Sequence, residues 1–345
     1  MPKTDLSVVA TNACGWPNLS KLENGDLICV YFNAPSHGLL EGDLVCSIQK
    51  SKQRKWAKAG IVSQRPANGN RMHLAVGTAQ NSDLLCFSSG FLLNDQKFVG
   101  FAGKWLSRSS DGGLSWTENQ DPKIPQKLRN TIPFGRIISV GNNTLVYACY
   151  RSQGRGKASE SWVCFSHDDG WTWDRYYKLG NNDSNEVALC SLTESTILAA
   201  VRTHVDHHVK ICEFSCKTKR WVEKGAVTLP MQHPADLIKV GRNCLLMTYG
   251  LRNRGLMGLA ARISLDSGKT WLPPWTIHQC GPKANDLGYP SSVSIDKQGN
   301  LLTAFYTDYE PLYKPHSSRY RVLIKRWNIF EWMTAENQKI VEDGM

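Results

Sequence analysis

With 345 residues, 41% of them hydrophobic and 21% charged, the chain is long enough for a large core and too mixed in composition to be disordered, collagen-like or coiled-coil. Its formal charge of +11 favours anionic ligands, yet the basic residues are spread along the chain rather than blocked, which argues against a nucleic-acid partner. No stretch approaches the roughly 18 apolar residues of a membrane span, so no membrane partner is expected.

Residues 1–13 carry charges at Lys3 and Asp5, and the apolar run 6–10 is too short for the core of a signal peptide; a cytoplasmic location is the expectation. The 11 cysteines fit a reduced compartment, because their number is odd and their spacing forms no disulfide framework. A strand–turn–strand phrase then recurs at 19–30, 75–87, 137–148, 188–201, 237–249 and 293–305. The copies are roughly 50 to 60 residues apart, about the length of one four-stranded blade. The basic run 49–55 sits in a degenerate turn and reads as a solvated loop.

A second phrase, Ser-x-Asp-x-Gly-x-(Ser/Thr)-Trp, runs out of phase with the first. It begins at Ser109, Ser166 and Ser264 and ends at Trp116, Trp173 and Trp271. Asp bonds backbone two residues on, Gly takes a positive φ, and the Trp anchors the turn in a core. Weaker copies at 47–56 and 215–221 keep the Ser and the Trp, and the last repeat has no clear copy. One short terminal helix is expected at 334–341. Together these features predict an all-β protein, a single six-bladed β-propeller domain over 1–345 with turns of this kind in its blades. Asp111, Asp168 and Asp266 belong to the turns and are structural.

In such a fold the loops flanking the innermost strands converge on one opening. The residues before the repeats include Arg71, His73, Arg136, Glu186, His233, Asp286 and Tyr289; those after include His37, Arg202, Tyr249, Arg252 and Arg254. Arg, His, Glu, Asp and Tyr together point to a carbohydrate or acidic small molecule. His204, His207 and His208 beside Asp206 read as exposed in an outer hairpin. His37, His73 and His233 show no ligand spacing, so no metal and no cofactor are expected. Nothing in the sequence specifies an oligomer.

The chain resembles the sialidase superfamily, the BNR or Asp-box family, over nearly its whole length. In that family a Glu opens one inner strand and an Arg closes its hairpin; Glu186 and Arg202 match. A Tyr-Ser phrase precedes the last inner strand, and Tyr289-Pro290-Ser291-Ser292 stands there. An Arg precedes the last clear Asp-box, where Arg252 and Arg254 are candidates. The resemblance implies an exo-acting glycoside hydrolase that needs no cofactor and releases a terminal acidic sugar. Glu186 would take the proton of Tyr289, whose phenol is a poor nucleophile at neutral pH, and arginines would clamp the substrate carboxylate.

Two positions depart from the family. Gly15-Trp16-Pro17 replaces an Arg-Ile-Pro phrase, leaving Arg71 or Arg136 as substitute clamps. The family's acid/base Asp is missing from the loop 33–38, where His37 is the titratable side chain. Asp286, His233 and Tyr249 complete the expected substrate wall. Two alternatives stay open: a polysaccharide lyase acting beside a uronate, with Tyr289 or His37 abstracting the C5 proton, and a glycan-binding propeller without turnover.

Overall fold

A computed structural model describes residues 5–152, 158–180, 182–312 and 320–345. After β1 (Leu6–Thr11) the chain runs through antiparallel meanders. The first comprises β2 (Asn18–Lys21), β3 (Leu27–Phe32), β4 (Leu44–Gln49) and β5 (Ala57–Ser63). The next comprises β6 (His73–Thr78), β7 (Leu84–Asn94), β8 (Lys97–Ser109) and β9 (Thr117–Asn119). There follow β10 (Ile132–Ser139), β11 (Leu145–Ser152), β12 (Ser159–Ser166) and β13 (Arg175–Leu179). Then come β14 (Val187–Thr193), β15 (Thr196–Arg202), β16 (Val209–Ser215) and β17 (Arg220–Ala226). They lead to β18 (Gln232–Lys239), β19 (Leu245–Leu251), β20 (Gly258–Ser264) and β21 (Trp275–Gln279). The last strands are β22 (Leu287–Ser294), β23 (Asn300–Thr307) and β24 (Arg321–Asn328), and the helix α1 (Ala335–Gly344) closes the chain.

The protein is all-β, as its repeats predict. Each strand–turn–strand phrase forms the first hairpin of a meander. The sheets are four of four strands and one of eight, in which β6 and β10 pair in parallel. That pairing needs a glycine: a Cβ on Gly77 would lie 2.1 Å from the Ile137 carbonyl oxygen. The leading strands β2, β6, β10, β14, β18 and β22 contact one another in succession, and β22 returns to contact β2. The N-terminal β1 supplies the outer strand beside β24, so the two ends of the chain share one sheet. This explains why the last repeat lacks an Asp-box: its fourth strand does not follow its third in the chain.

Inner strands are covered on both faces by neighbouring sheets and read as unbroken apolar runs. β3 is buried at every position, whereas β17 at a sheet edge is mostly exposed. Five apolar clusters fill the spaces between successive sheets. The helix at the C-terminus runs three residues further than expected, to Gly344, is capped by the Thr334 hydroxyl, and plugs Val341 into one cluster. All 11 cysteines are free thiols. No helix among the described residues is long and apolar enough to cross a membrane.

The Asp-box turns join third strands to fourth. Ser264 Oγ donates to Asp266 Oδ1 at 2.8 Å, and the Gly268 N–H donates to Ser264 Oγ at 2.7 Å. Thr270 then donates its N–H and its hydroxyl to the two Asp266 oxygens, at 2.9 and 2.7 Å. Gly268 takes a φ of +85°, as the turn requires. The Asp168 and Asp111 turns repeat this pattern, and Trp173 is fully buried with its indole N–H on the Gly170 carbonyl. Replacing Asp266 by Ala removes the acceptor of three of these bonds. We expect a loss of about 1–3 kcal/mol in urea unfolding, with Asp168→Ala costing a similar amount and the double variant the sum.

Candidate active site

The backbone brings a carboxylate and a guanidinium together locally. Glu186 precedes β14 and Arg202 ends β15; the Arg202 N–H donates to the Glu186 carbonyl at 2.9 Å, so the two side chains are cross-strand neighbours. Arg202 Nη1 donates to Glu186 Oε2 at 2.6 Å. The partner for the other oxygen comes from 103 residues away, where Tyr289 Oη donates to Glu186 Oε1 at 2.5 Å. β22 has an irregular register between Gly288 and Ser291, and Tyr289 takes a φ of +52° there. Such a bulge re-aims a side chain.

Burial and the adjacent Glu186 carboxylate push the Tyr289 phenol well up, against the pull of Arg202 and Arg252. Burial opposes the charge of Arg202, but Glu186 and Tyr289 outweigh it and hold the guanidinium above its usual value. Arg252 donates to Asp286 Oδ1 at 2.7 Å and to the Leu287 carbonyl. Asp286 also accepts from Tyr306 Oη at 2.9 Å, from Tyr320 Oη at 3.1 Å and from His37 Nδ1 at 3.2 Å. Burial raises the Asp286 carboxyl, but His37, Arg252 and Tyr306 bring it far below the usual carboxylate range.

Aromatic rings wall this cluster. The Trp16 ring lies 4.9 Å from that of His37 and 5.7 Å from that of Tyr289, edge-on to both, and Phe134 lies 6.0 Å from Tyr289. A cavity of about 30 Å³ among the leading strands is lined by residues including Trp16, His73, Tyr150, Glu186, Asp236 and Tyr289. It has room for about one water, not a sugar. Arg202, Arg252 and His37 are not among the residues that line it. Cys14, His37 and Asp286 place ligand atoms within 4.8 Å of one another. The Asp286 oxygens there are already engaged by a guanidinium, two phenols and an imidazole.

A model of the BNR repeat-like domain matches residues 25–301. The chain belongs to this BNR repeat-like family. No match was found among curated proteins. A protein of unknown function from Dyadobacter fermentans is similar in structure at 20% identity and a TM-score of 0.77, with 94% of this chain and 98% of that one covered. The Hadza microbial sialidase Hz136 is similar at 17% identity and a TM-score of 0.73, with 92% and 66% covered. Trypanosoma rangeli sialidase is similar at 14% identity and a TM-score of 0.67, with 97% and 57% covered. The BNR chain thus spans about two thirds of the first sialidase and little more than half of the second.

Several arginines expected at the mouth of this BNR protein are committed elsewhere. Arg136 gives Nε and Nη2 to the two oxygens of Asp236 at 3.0 and 2.9 Å, and its other bonds go to Leu19, Ser291 and Ser292. Arg71 is fully buried over the Trp105 ring, bonded to the Ala102 and Gly103 carbonyls, and burial brings its pKa down to about 9. Arg254 is exposed, outside the cluster. Tyr249 is fully buried in the core between the β14–β17 and β18–β21 sheets, because its place in the strand alternation turns it sideways.

The histidines differ from expectation as well. His204, His207 and His208 are partly buried rather than exposed. His207 Nδ1 lies 3.5 Å from Arg202 Nη2, and its ring is 5.4 Å from that of His233. His233 is buried, and neither ring nitrogen has a partner among the described residues. Burial, Arg202 and Arg252 push its pKa far down. Tyr306 and Tyr320 were missed from sequence. Tyr306 sits at the end of β23, the phase that supplies Arg202 and Arg252, which was the available signal.

Two outcomes follow from these buried charges. Asp236→Asn leaves the Arg136 cation buried without its anion, and we expect it to cost about 3–5 kcal/mol in urea unfolding. Burial also brings His73 down to about 3, so His73 and His233 are neutral when folded and gain a proton on unfolding below their ordinary pKa. Their contribution to stability is complete above about pH 6.5 and is lost as pH falls, by up to about 1.4 kcal/mol per unit for each. Urea midpoints measured between about pH 6.5 and 5 will fall, and His233→Gln will flatten the slope.

Proposed function

We propose that the chain is a six-bladed β-propeller that acts as an exo-glycoside hydrolase of sialidase type, releasing a terminal acidic or related sugar. The closed succession of leading strands supports the propeller. One observation carries the enzymatic reading: the 2.5 Å bond between the buried Tyr289 phenol and Glu186, with Arg202 on the other carboxylate oxygen. The likeness to sialidase structures supports it as well.

In this reading Tyr289 Oη attacks the anomeric carbon while its proton passes to Glu186. The phenol is held protonated by burial and by Glu186, so a base in contact is needed at neutral pH. His37 enters this step doubly protonated: its Nδ1–H is held by Asp286, and its Nε2–H passes to the departing glycosidic oxygen, leaving the neutral imidazole. The bond from carbon to that oxygen breaks as the bond to Tyr289 forms. Water then attacks the glycosyl-tyrosine, His37 takes a proton from it, and Tyr289 recovers its own from Glu186. Arg202 and Arg252 supply the positive field for an acidic group. Gly15 stands where the family phrase has its first arginine, so this chain brings no third guanidinium there, and the neighbouring Trp16 ring lies edge-on to His37 and Tyr289.

Aryl glycosides of sialic acid, its deaminated analogue, uronic acids and rhamnose provide the test, with products weighed by mass spectrometry. Addition of water supports the hydrolase, and an unsaturated product supports a lyase. Against the best substrate, Tyr289→Phe and Glu186→Gln should each reduce turnover by roughly 10²–10⁴-fold while calorimetric binding changes little. Undiminished turnover by Tyr289→Phe overturns the proposed nucleophile.

A further inference from the structure

We propose that His278, Cys280 and Glu310 form a binding site for a zinc-like divalent ion, away from the catalytic cluster. His278 is the penultimate residue of β21, Cys280 follows that strand, and Glu310 lies three residues beyond β23. Their ligand atoms all lie within 4.8 Å of one another, and His278 Nε2 is already 2.8 Å from Glu310 Oε2.

The donor types and their burial favour an ion. Ligand atoms sit about 2.0–2.3 Å from tetrahedral zinc and so about 3.3–3.7 Å from each other; modest side-chain shifts bring this trio to that spacing. An imidazole, a thiolate and a carboxylate select a borderline ion such as Zn²⁺ or Co²⁺ over Mg²⁺ or Ca²⁺. Cys280 is fully buried and Glu310 is 2% exposed. A dication exactly cancels one thiolate and one carboxylate, which removes the cost of burying their charge. Binding releases the Cys280 thiol proton to solvent, and water completes the coordination.

The ion would act as a staple. Asp308, two residues before Glu310, accepts the N–H groups of Asn285 and Asp286 at 3.0 and 3.1 Å. Cys280 opens the same loop from its other side. A metal joining Cys280 to Glu310 therefore fixes both supports of Asp286, the residue that holds Arg252 and His37. The site stands whether or not the chain is a glycosidase.

The test uses the full chain, stripped with a chelator and titrated with Co²⁺. We expect one equivalent to bind with a thiolate-to-cobalt charge-transfer band and tetrahedral visible bands, both abolished by Zn²⁺. Cys280→Ser should abolish the charge-transfer band, and Cys216→Ser, at the partly exposed thiol, should leave it. Glu310→Gln and His278→Asn should keep the thiolate band and weaken binding by more than about 10-fold, which gives a readout even where Cys280→Ser fails to fold. Absence of the band in the native chain, its survival in Cys280→Ser, or unchanged affinity in both remaining variants would overturn the site.

Discussion

The Arg136 guanidinium ties together strands that are far apart in the chain. It reaches Asp236 on β18, the Leu19 carbonyl on β2, and Ser291 and Ser292 on β22, while its own backbone belongs to β10. Asp236 in turn accepts the Ser292 N–H, and Ser291 Oγ accepts the Leu19 N–H. Hydrophobic burial between sheets is non-directional, so it does not by itself fix how the leading strands stand relative to one another. A planar cation with five donors does. The contact between Tyr289 on β22 and Glu186 beside β14 depends on that alignment, because no short loop connects the two.

The same pairing recurs across the centre of the molecule with different consequences. Arg136 meets Asp236, Arg202 meets Glu186, and Arg252 meets Asp286. The Arg136 pair has its donors and acceptors satisfied within the protein, so it serves alignment. Glu186 keeps one oxygen for the Tyr289 phenol, so that pair joins β14 to β22. Asp286 gathers four donors and fixes the orientation of an arginine and a partly exposed histidine. Similar residue types thus perform distinct tasks according to what saturates their remaining valences.

Two neutral imidazoles stand beside these ion pairs. Burial, together with Arg202 and Arg252, holds His233 neutral, and His207 lies beside Arg202 with its own pKa lowered by burial and by Arg202. Neutral imidazoles next to guanidiniums can donate or accept hydrogen bonds without adding repulsive charge. Trp16, in a left-handed turn after Gly15, turns its ring toward both His37 and Tyr289.

What the sequence determined by itself was local. Alternating apolar residues, the turn chemistry of the Asp-boxes and the spacing of Glu186 and Arg202 all act within one hairpin, and each is legible because its physics spans few residues. Only the tertiary structure decided which partners each guanidinium meets. Arg71 looked available until Trp105 and two carbonyls enclosed it, and Arg136 until Asp236, 100 residues away, took two of its donors. Tyr249 passed for a site residue because its strand ends at the mouth, though its side chain turns into the core. The charge and donors of an arginine are properties of its residue type, but their availability depends on partners that the order of the chain does not reveal.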